Sequence, residues 1–247
     1  MAIHLVRKIE AYTRLSAEER QALLALVANN VRRIPSRQEM IREGERPTHV
    51  QLLLDGWAFR HKTLVDGRRQ IIAFFLPGDM CDLNITLLRE MDHSITSLTS
   101  VSVAEISHGV IDALLLRYPR IMRALWWETL VNAAIQREWT VNLGQRTAFE
   151  RIAHLLCEVF MRLRIVGRTN GQKCEFPVTQ AELGEAVGLS TVHVNRTLQE
   201  MRAAGLITLN GKELTIIDLP QLQELAMFNP AYLHLDHEGR EFDATPA

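Results

Sequence analysis

The chain has 247 residues, 47% apolar and 23% charged, with a formal charge of −1. Such a chain is long enough for one or two domains and a sizeable core without metal or disulfide staples. Its charge balance excludes a histone-like polycation and a polybasic membrane-surface protein. The cysteines, Cys81, Cys157 and Cys174, form no CxxC pair, and their odd number argues against a disulfide framework and for a reducing cytosol. The N-terminus lacks a secretory apolar region, and no run approaches the roughly 18 apolar residues of a membrane span. A soluble cytoplasmic protein with no membrane partner is expected.

Residues 15–30 read as a helix. Ser16 and Glu19 have capping-box spacing, and Leu23, Leu24, Val27 and Ala28 give one apolar face. Residues 31–107 change character. Glycines recur at Gly44, Gly56, Gly67 and Gly78, between short apolar or alternating runs such as HVQLLL, WAFRHKTLV, RQIIAFFL and SITSLTSVSVAEIS. Short strands punctuated by turn signals predict an all-β sandwich or barrel. Asp55-Gly56 and Asp66-Gly67 are the strongest hairpin turns.

From about Ile111 the period changes again. Residues 111–143 contain no glycine and one proline, Pro119. Ala124, Trp127, Val131, Ala134 and Val141, interrupted by Glu138, alternate at three- and four-residue steps, a heptad-like seam that fits either a helix paired with a second copy as a dimer interface or a helix packed on its own domain. The adjacent Trp126 and Trp127 point to different faces, one for the barrel and one for a partner. A hinge is expected over 142–145, followed by a helix from Thr147 to near Gly167 and a hairpin or loop over 168–178. Composition and period place a domain boundary near residue 145, with a β-rich unit and N-terminal helices over 1–110, a long helical stretch over 111–144, a second unit over 145–220 and a frayed acidic tail over 221–247.

Residues 179–205, TQAELGEAVGLSTVHVNRTLQEMRAAG, carry the sharpest signal. Thr179 and Glu182 form a capping box opening a short helix, and Ser190 can N-cap a second. Val194, Leu198 and Met201 give the second helix an inner face, and Gly205 can end it. Two short helices around a glycine-containing turn form a helix-turn-helix. Thr191, Val192, His193, Asn195, Arg196 and Gln199 project outward, with no carboxylate on the helix before Glu200. These groups can reach base edges: arginine pairs with guanine, and asparagine or glutamine with adenine. Thr179, Gln180 and Ser190, at the helix starts, complete the expected DNA-binding set. LITLNGKELTII then reads as a wing, with Asn210-Gly211 as its turn. The run Arg162, Arg164, Arg168 and Lys173, uninterrupted by acids, adds a basic patch suited to phosphate.

With these residues in place, the chain resembles the Crp/Fnr superfamily of bacterial transcription regulators. TQAELGEAVGLSTVHVNRTLQEMRAAGLI is the most specific stretch, and REGERPTHVQLLLDGWA and FFLPGDM extend the likeness through the roll. The resemblance implies an α+β architecture: an N-terminal double-stranded, jelly-roll-like β-roll, a long dimerisation helix and a C-terminal winged helix-turn-helix. It also implies a homodimer on a near-palindromic double-stranded DNA site, in contact with RNA polymerase. At the positions where the family often has Arg/Val-Glu-x-x-x-Arg, this chain has Thr191, Val192 and Arg196, so the glutamate that accepts from cytosine is replaced.

The resemblance also frames the effector. Cyclic-nucleotide recognition in the family needs a glutamate for the ribose and an Arg-Ser or Arg-Thr pair for the phosphate. Here the candidate pocket is Gly78, Asp79, Cys81, Asp82, His93 and Ser94, with Asp82 near the ribose position and His93-Ser94 in place of the phosphate pair. Without an arginine, cyclic AMP is not expected. A cluster needing about four thiolates is not expected from three scattered cysteines, leaving Cys81 as a candidate redox thiol or a plain buried residue. His234, Asp236 and His237 suggest a metal only weakly; no cofactor or metal is assigned, and the small-molecule effector stays unidentified. A module acting mainly through protein contacts is the alternative. No GxSxG, P-loop or HExxH motif supports an enzyme.

Overall fold

The computed structural model describes residues 3–27, 30–83, 89–236 and 239–244. Helix α1 (Ile3–Glu10) buries Leu5, Val6 and Ile9. Helix α2 (Ala17–Ala25) begins at Ser16 with the expected capping box, Ser16 Oγ accepting from Glu19 N and the Glu19 carboxylate accepting from Ser16 N. On its apolar face Leu23 is buried and Leu24 and Val27 half-buried, whereas Ala28 lies outside the described residues.

Among the described residues eight strands follow: β1 (Val31–Ile34), β2 (Glu39–Ile41), β3 (His49–Asp55), β4 (Ala58–Thr63), β5 (Arg69–Phe75), β6 (Met80–Cys81), β7 (Ser94–Ser97) and β8 (Val101–Ser107). They form two antiparallel sheets ordered β1-β8-β3-β6 and β2-β7-β4-β5, the two-sheet roll that the glycine punctuation predicts. Strand β3 reads HVQLLL without alternation because its residues from Val50 to Leu54 are all buried. Two glycines of the roll are sterically required. At Gly56 (φ +81°) a Cβ would lie 2.4 Å from the Ser100 carbonyl oxygen, and at Gly78 (φ +97°) it would lie 2.8 Å from the His4 carbonyl carbon. The Gly78 turn therefore seats α1 directly on the roll.

The single helix expected over 111–144 is two: α3 (His108–Arg117) and α4 (Pro119–Gln145). Pro119 has no N–H and restricts Tyr118 to a non-helical conformation (φ −123°, ψ 84°), so it stops one helix and opens the next. The expected hinge at 142–145 stays helical, and the break falls at Arg146. Helix α5 (Ala148–Ile165) then starts at Thr147 with a capping box to Glu150.

The heptad-like seam points inward. Ala124, Val131 and Ala134 are buried within the chain's own core, and Trp127 is half-buried against Tyr12 and His234. Of the seam only Val141 is exposed, and the large apolar side chains that α4 leaves in solvent are Met122, Trp126, Leu130, Val141 and Leu143. The paired-helix expectation for Ala124, Trp127, Val131 and Ala134 is corrected: those side chains already pack on their own domain.

Strands β9 (Thr169–Asn170) and β10 (Lys173–Glu175) form the hairpin expected in 168–178. Helices α6 (Gln180–Val187) and α7 (Thr191–Ala203) lead into β11 (Ile207–Asn210), β12 (Glu213–Ile216) and α8 (Leu219–Leu225). The third sheet, β11-β12-β10-β9, contains the wing, whose two-residue turn is Gly211-Lys212, one place beyond the expected pair. One side of the roll shares a core with this C-terminal unit through edge-to-face contacts of Trp57 with Phe74 and Phe176 and of Phe74 with Trp139, while the rest of the roll packs with α1, α2, α3 and the start of α4 in a second core.

The tail, expected to fray, is a strap. Leu233 and Ala244 are buried, Gly239 N donates to Tyr12 O at 3.0 Å, and Ala244 N donates to Arg14 O at 2.9 Å. Arg120 Nε donates to Phe242 O at 2.5 Å. Beneath it lies a buried charge cluster. Lys8 pairs with Asp79 and Glu128; Arg162 pairs with Asp79 at 3.0 Å and Glu158 at 3.4 Å. Tyr12 donates to Glu128 at 2.9 Å, and Tyr232 donates to Glu158 at 2.8 Å. Burial alone would raise the Asp79 pKa; the Lys8 ammonium and Arg162 guanidinium outweigh it and hold the carboxyl below its usual range.

Asp79→Ala leaves two buried cations short of a partner, so unfolding should become easier by about 3–5 kcal/mol. Asp55→Ala, breaking the exposed pair with Arg168, should change stability by about 0–1 kcal/mol. Because the Asp79 pKa is depressed, its stabilisation is present above the ordinary carboxylate range and disappears as pH falls through the folded value. Denaturant titrations of the two variants at neutral and acidic pH check both points; equal losses would contradict the cluster's role.

Candidate DNA-reading face and sensor cavity

The helix-turn-helix is built by its caps and glycines. Thr179 Oγ1 accepts from Glu182 N at 3.3 Å while Glu182 accepts from Thr179 N at 2.9 Å, which fixes the start of α6. Gly188 ends α6 in the left-handed region, φ +68°. Ser190 Oγ accepts from His193 N at 3.3 Å and starts α7. Val194, Leu198 and Met201 are buried, as their spacing predicts.

The outer face of α7 carries the expected residues. Thr191, Val192, Arg196 and Gln199 are exposed, His193 and Asn195 half-buried. Asn195 Nδ2 donates to Gln180 Oε1 at 3.1 Å across the two helices, a tie that the sequence does not reveal. The hydroxyls of Thr179 and Ser190 are engaged as caps.

The basic run is different from its reading in the sequence. Arg162 belongs to the buried cluster, Arg168 pairs with Asp55 at 2.6 Å, and Lys173 pairs with Glu213 at 2.8 Å. Only Arg164 of the four is exposed without an acid against it among the described residues. Acids that are distant in sequence neutralise the patch, so Arg162 is corrected from a phosphate contact to a structural ion pair. The α6 helix is itself held by the roll: Arg37 pairs with Glu182, Arg69 with Glu185 at 2.8 Å, and Gln70 Nε2 donates to Ala186 O at 3.2 Å.

A cavity of about 270 Å³ lies between α1, the roll and α4. Its charged and carboxamide side chains are Lys8, Arg60, Asp82, Glu128, Asn132 and Gln136. Of the six pocket candidates, Gly78 and Asp82 line it. Asp79 is committed to the charge cluster, and Cys81 is buried, its thiol pushed well up by burial, which makes it a poor redox sensor. His93 Nε2 lies 2.8 Å from Asp82 Oδ2, so these two do meet, but Ser94 Oγ accepts from Glu43 N at 3.0 Å and serves the backbone. Sequence reasoning missed Arg60, which ion-pairs with Asp82 and stacks its guanidinium over Phe75, 5.1 Å from the ring centre. Its place two strands away from the Gly78 turn gives no local signal. Both cavity cations are thus matched by carboxylates. The remaining thiols, Cys157 and Cys174, are buried and pushed up to about 12. The His234 ring packs edge-on against Trp127, and His237 lies outside the described residues. No helix of the described residues is long and apolar enough to cross a membrane.

Comparison with known proteins fits this geometry. Residues 31–118 match the cyclic nucleotide-binding domain, and residues 150–225 match the Crp-like helix-turn-helix domain. The transcriptional activator protein Anr of Pseudomonas protegens is 29% identical over 213 residues, 86% of either chain. The transcriptional activator protein FnrL of Cereibacter sphaeroides is 27% identical over 193 residues, 76% of this chain and 77% of its own. The structure of FixK2 from Bradyrhizobium japonicum shares the fold with a TM-score of 0.71 at 24% identity, covering 79% of this chain and 96% of that one. With a roll of the cyclic nucleotide-binding type, a long helix and a winged helix-turn-helix in the same order, the chain belongs to the Crp/Fnr superfamily of transcription regulators.

Proposed function

We propose that the chain is a sequence-specific regulator that binds a near-palindromic DNA site as a homodimer and contacts RNA polymerase there. The observation that carries this reading is the outer face of α7, where Thr191, Val192, Arg196 and Gln199 stand in solvent with no carboxylate before Glu200. The N-terminal half of such a helix enters the major groove. Arg196 addresses a guanine through its fork, and Val192 touches a thymine methyl rather than accepting from cytosine. Dimerisation uses the Met122, Trp126, Leu130 and Val141 stripe of α4, large apolar side chains whose four- and eleven-residue steps keep them near one helix face.

The effector is neither cyclic AMP nor an iron–sulfur cluster. A cyclic phosphate would have to displace Asp82 from Arg60, or the carboxylates from Lys8, and leave buried charges unpaired. The buried thiols, on β6, α5 and β10, fall short of the usual four cluster ligands.

Leu130→Asp should give a folded monomer in sedimentation, since Leu130 is 59% exposed in the single chain; a persistent dimer would contradict the stripe. In randomised-site selection, Arg196→Ala should weaken binding by about 1–3 kcal/mol and relax one base position. Selection of the wild-type motif at full strength would remove α7 as the reader. Isothermal titration with cyclic AMP should show no saturable heat at micromolar levels, and clear binding would mean that Arg60 or Lys8 is released to hold phosphate.

A further inference from the structure

Asn195 and Gln180 are 15 residues apart, on different helices, yet their carboxamides meet at 3.1 Å. The crossing that brings them together is rigid. At Gly184 a Cβ would lie 2.4 Å from Leu189 O, so α6 sits as close to the turn as a backbone can, and Val194, one residue before Asn195, is fully buried. Gln180 directly follows the Thr179 cap, so its backbone is fixed as well. The pair is therefore set by the core. Thr191, Val192, Arg196 and Gln199 differ from it: they are exposed, and their side chains make no hydrogen bond among the described residues.

We propose that Gln180 is a positioning residue for base readout, holding the Asn195 carboxamide in the orientation that reads an adenine. An asparagine amide has two N–H donors and one carbonyl acceptor. One N–H is used on Gln180 Oε1. The other N–H and Oδ1 are left, and these are the donor and acceptor that adenine N7 and N6 require in the major groove. An asparagine left free would have to be ordered at the moment of binding, which lowers affinity for the matched base. The tie orders it beforehand. This assignment rests on the reading of α7 as the DNA-reading helix and adds a residue that acts through another rather than on the base.

The test is randomised-site selection with wild type, Gln180→Ala, Gln180→Glu, Asn195→Ala and the double alanine variant, with melting curves to confirm folding. Gln180→Glu retains an acceptor for Asn195 but loses both amide donors and adds a negative charge. Wild type should prefer adenine at one position of each half-site. Asn195→Ala and Gln180→Ala should each reduce that preference about tenfold, a loss of the size expected for one good base contact. The double variant should lose no more at that base than Asn195→Ala alone. Gln180→Glu should keep the adenine while binding every sequence more weakly. If Gln180→Ala keeps the wild-type motif and weakens all sequences alike, Gln180 touches phosphate only and the assignment is overturned. Retention of the adenine by Asn195→Ala overturns it equally. If wild type itself selects no motif, the DNA-reading role of α7 fails and takes this assignment with it, a result distinct from the other two.

Discussion

The architecture turns on the charge cluster around Asp79. Five ionisable groups, Lys8, Asp79, Glu128, Glu158 and Arg162, come from α1, the Gly78 turn of the roll, α4 and α5. Tyr232 of the strap and Trp139 of α4 donate to Glu158. Each ion loses hydration on burial, and only a complete set of partners offsets that loss. Burial raises the Glu158 pKa despite the opposing Arg162 guanidinium and the hydrogen bonds from Tyr232 and Trp139. Any shift of the C-terminal unit against the roll separates Arg162 from Asp79. The cluster therefore ties the placement of the helix-turn-helix to the turn that also seats α1.

The cavity between α1, the roll and α4 shares these ion pairs. Lys8 and Glu128 belong to both the cluster and the cavity wall, and Gly78 lies one residue before Asp79. A molecule entering the cavity meets the Arg60–Asp82 pair on one side and the Lys8–Glu128 pair on the other. Exchanging either pair for a ligand contact would change the field at Asp79 and hence at Arg162. A short chain of ion pairs, Glu128–Lys8–Asp79–Arg162, therefore links the cavity wall to α5 of the C-terminal unit.

Much of the fold could be read from the chain because its signals are local. Capping boxes at Ser16, Thr147 and Thr179, glycine turns in the roll and the inner face of α7 are all set by neighbours within a few residues. What depends on distant residues could not. The heptad-like spacing of α4 locates an apolar stripe but cannot say whether it faces the chain or a second copy, and here Ala124, Val131 and Ala134 face the chain. The basic run 162–173 looks free until Asp79, Asp55 and Glu213 arrive from elsewhere. The tail looks polar and loose because its anchors are backbone groups of Tyr12 and Arg14 and the side chain of Arg120. Arg60 was missed in the cavity for the same reason, and so was the Gln180–Asn195 tie.

The central claim is that two copies of α7 read one DNA site. Identification of the bound sites in cells tests it most directly. The account predicts a shared inverted repeat whose half-sites are centred about one helical turn, roughly 10–10.5 base pairs, apart, as a two-fold pair of helix-turn-helix units requires. Recovery of fragments with no common motif, or of a single unrepeated half-site, would contradict it.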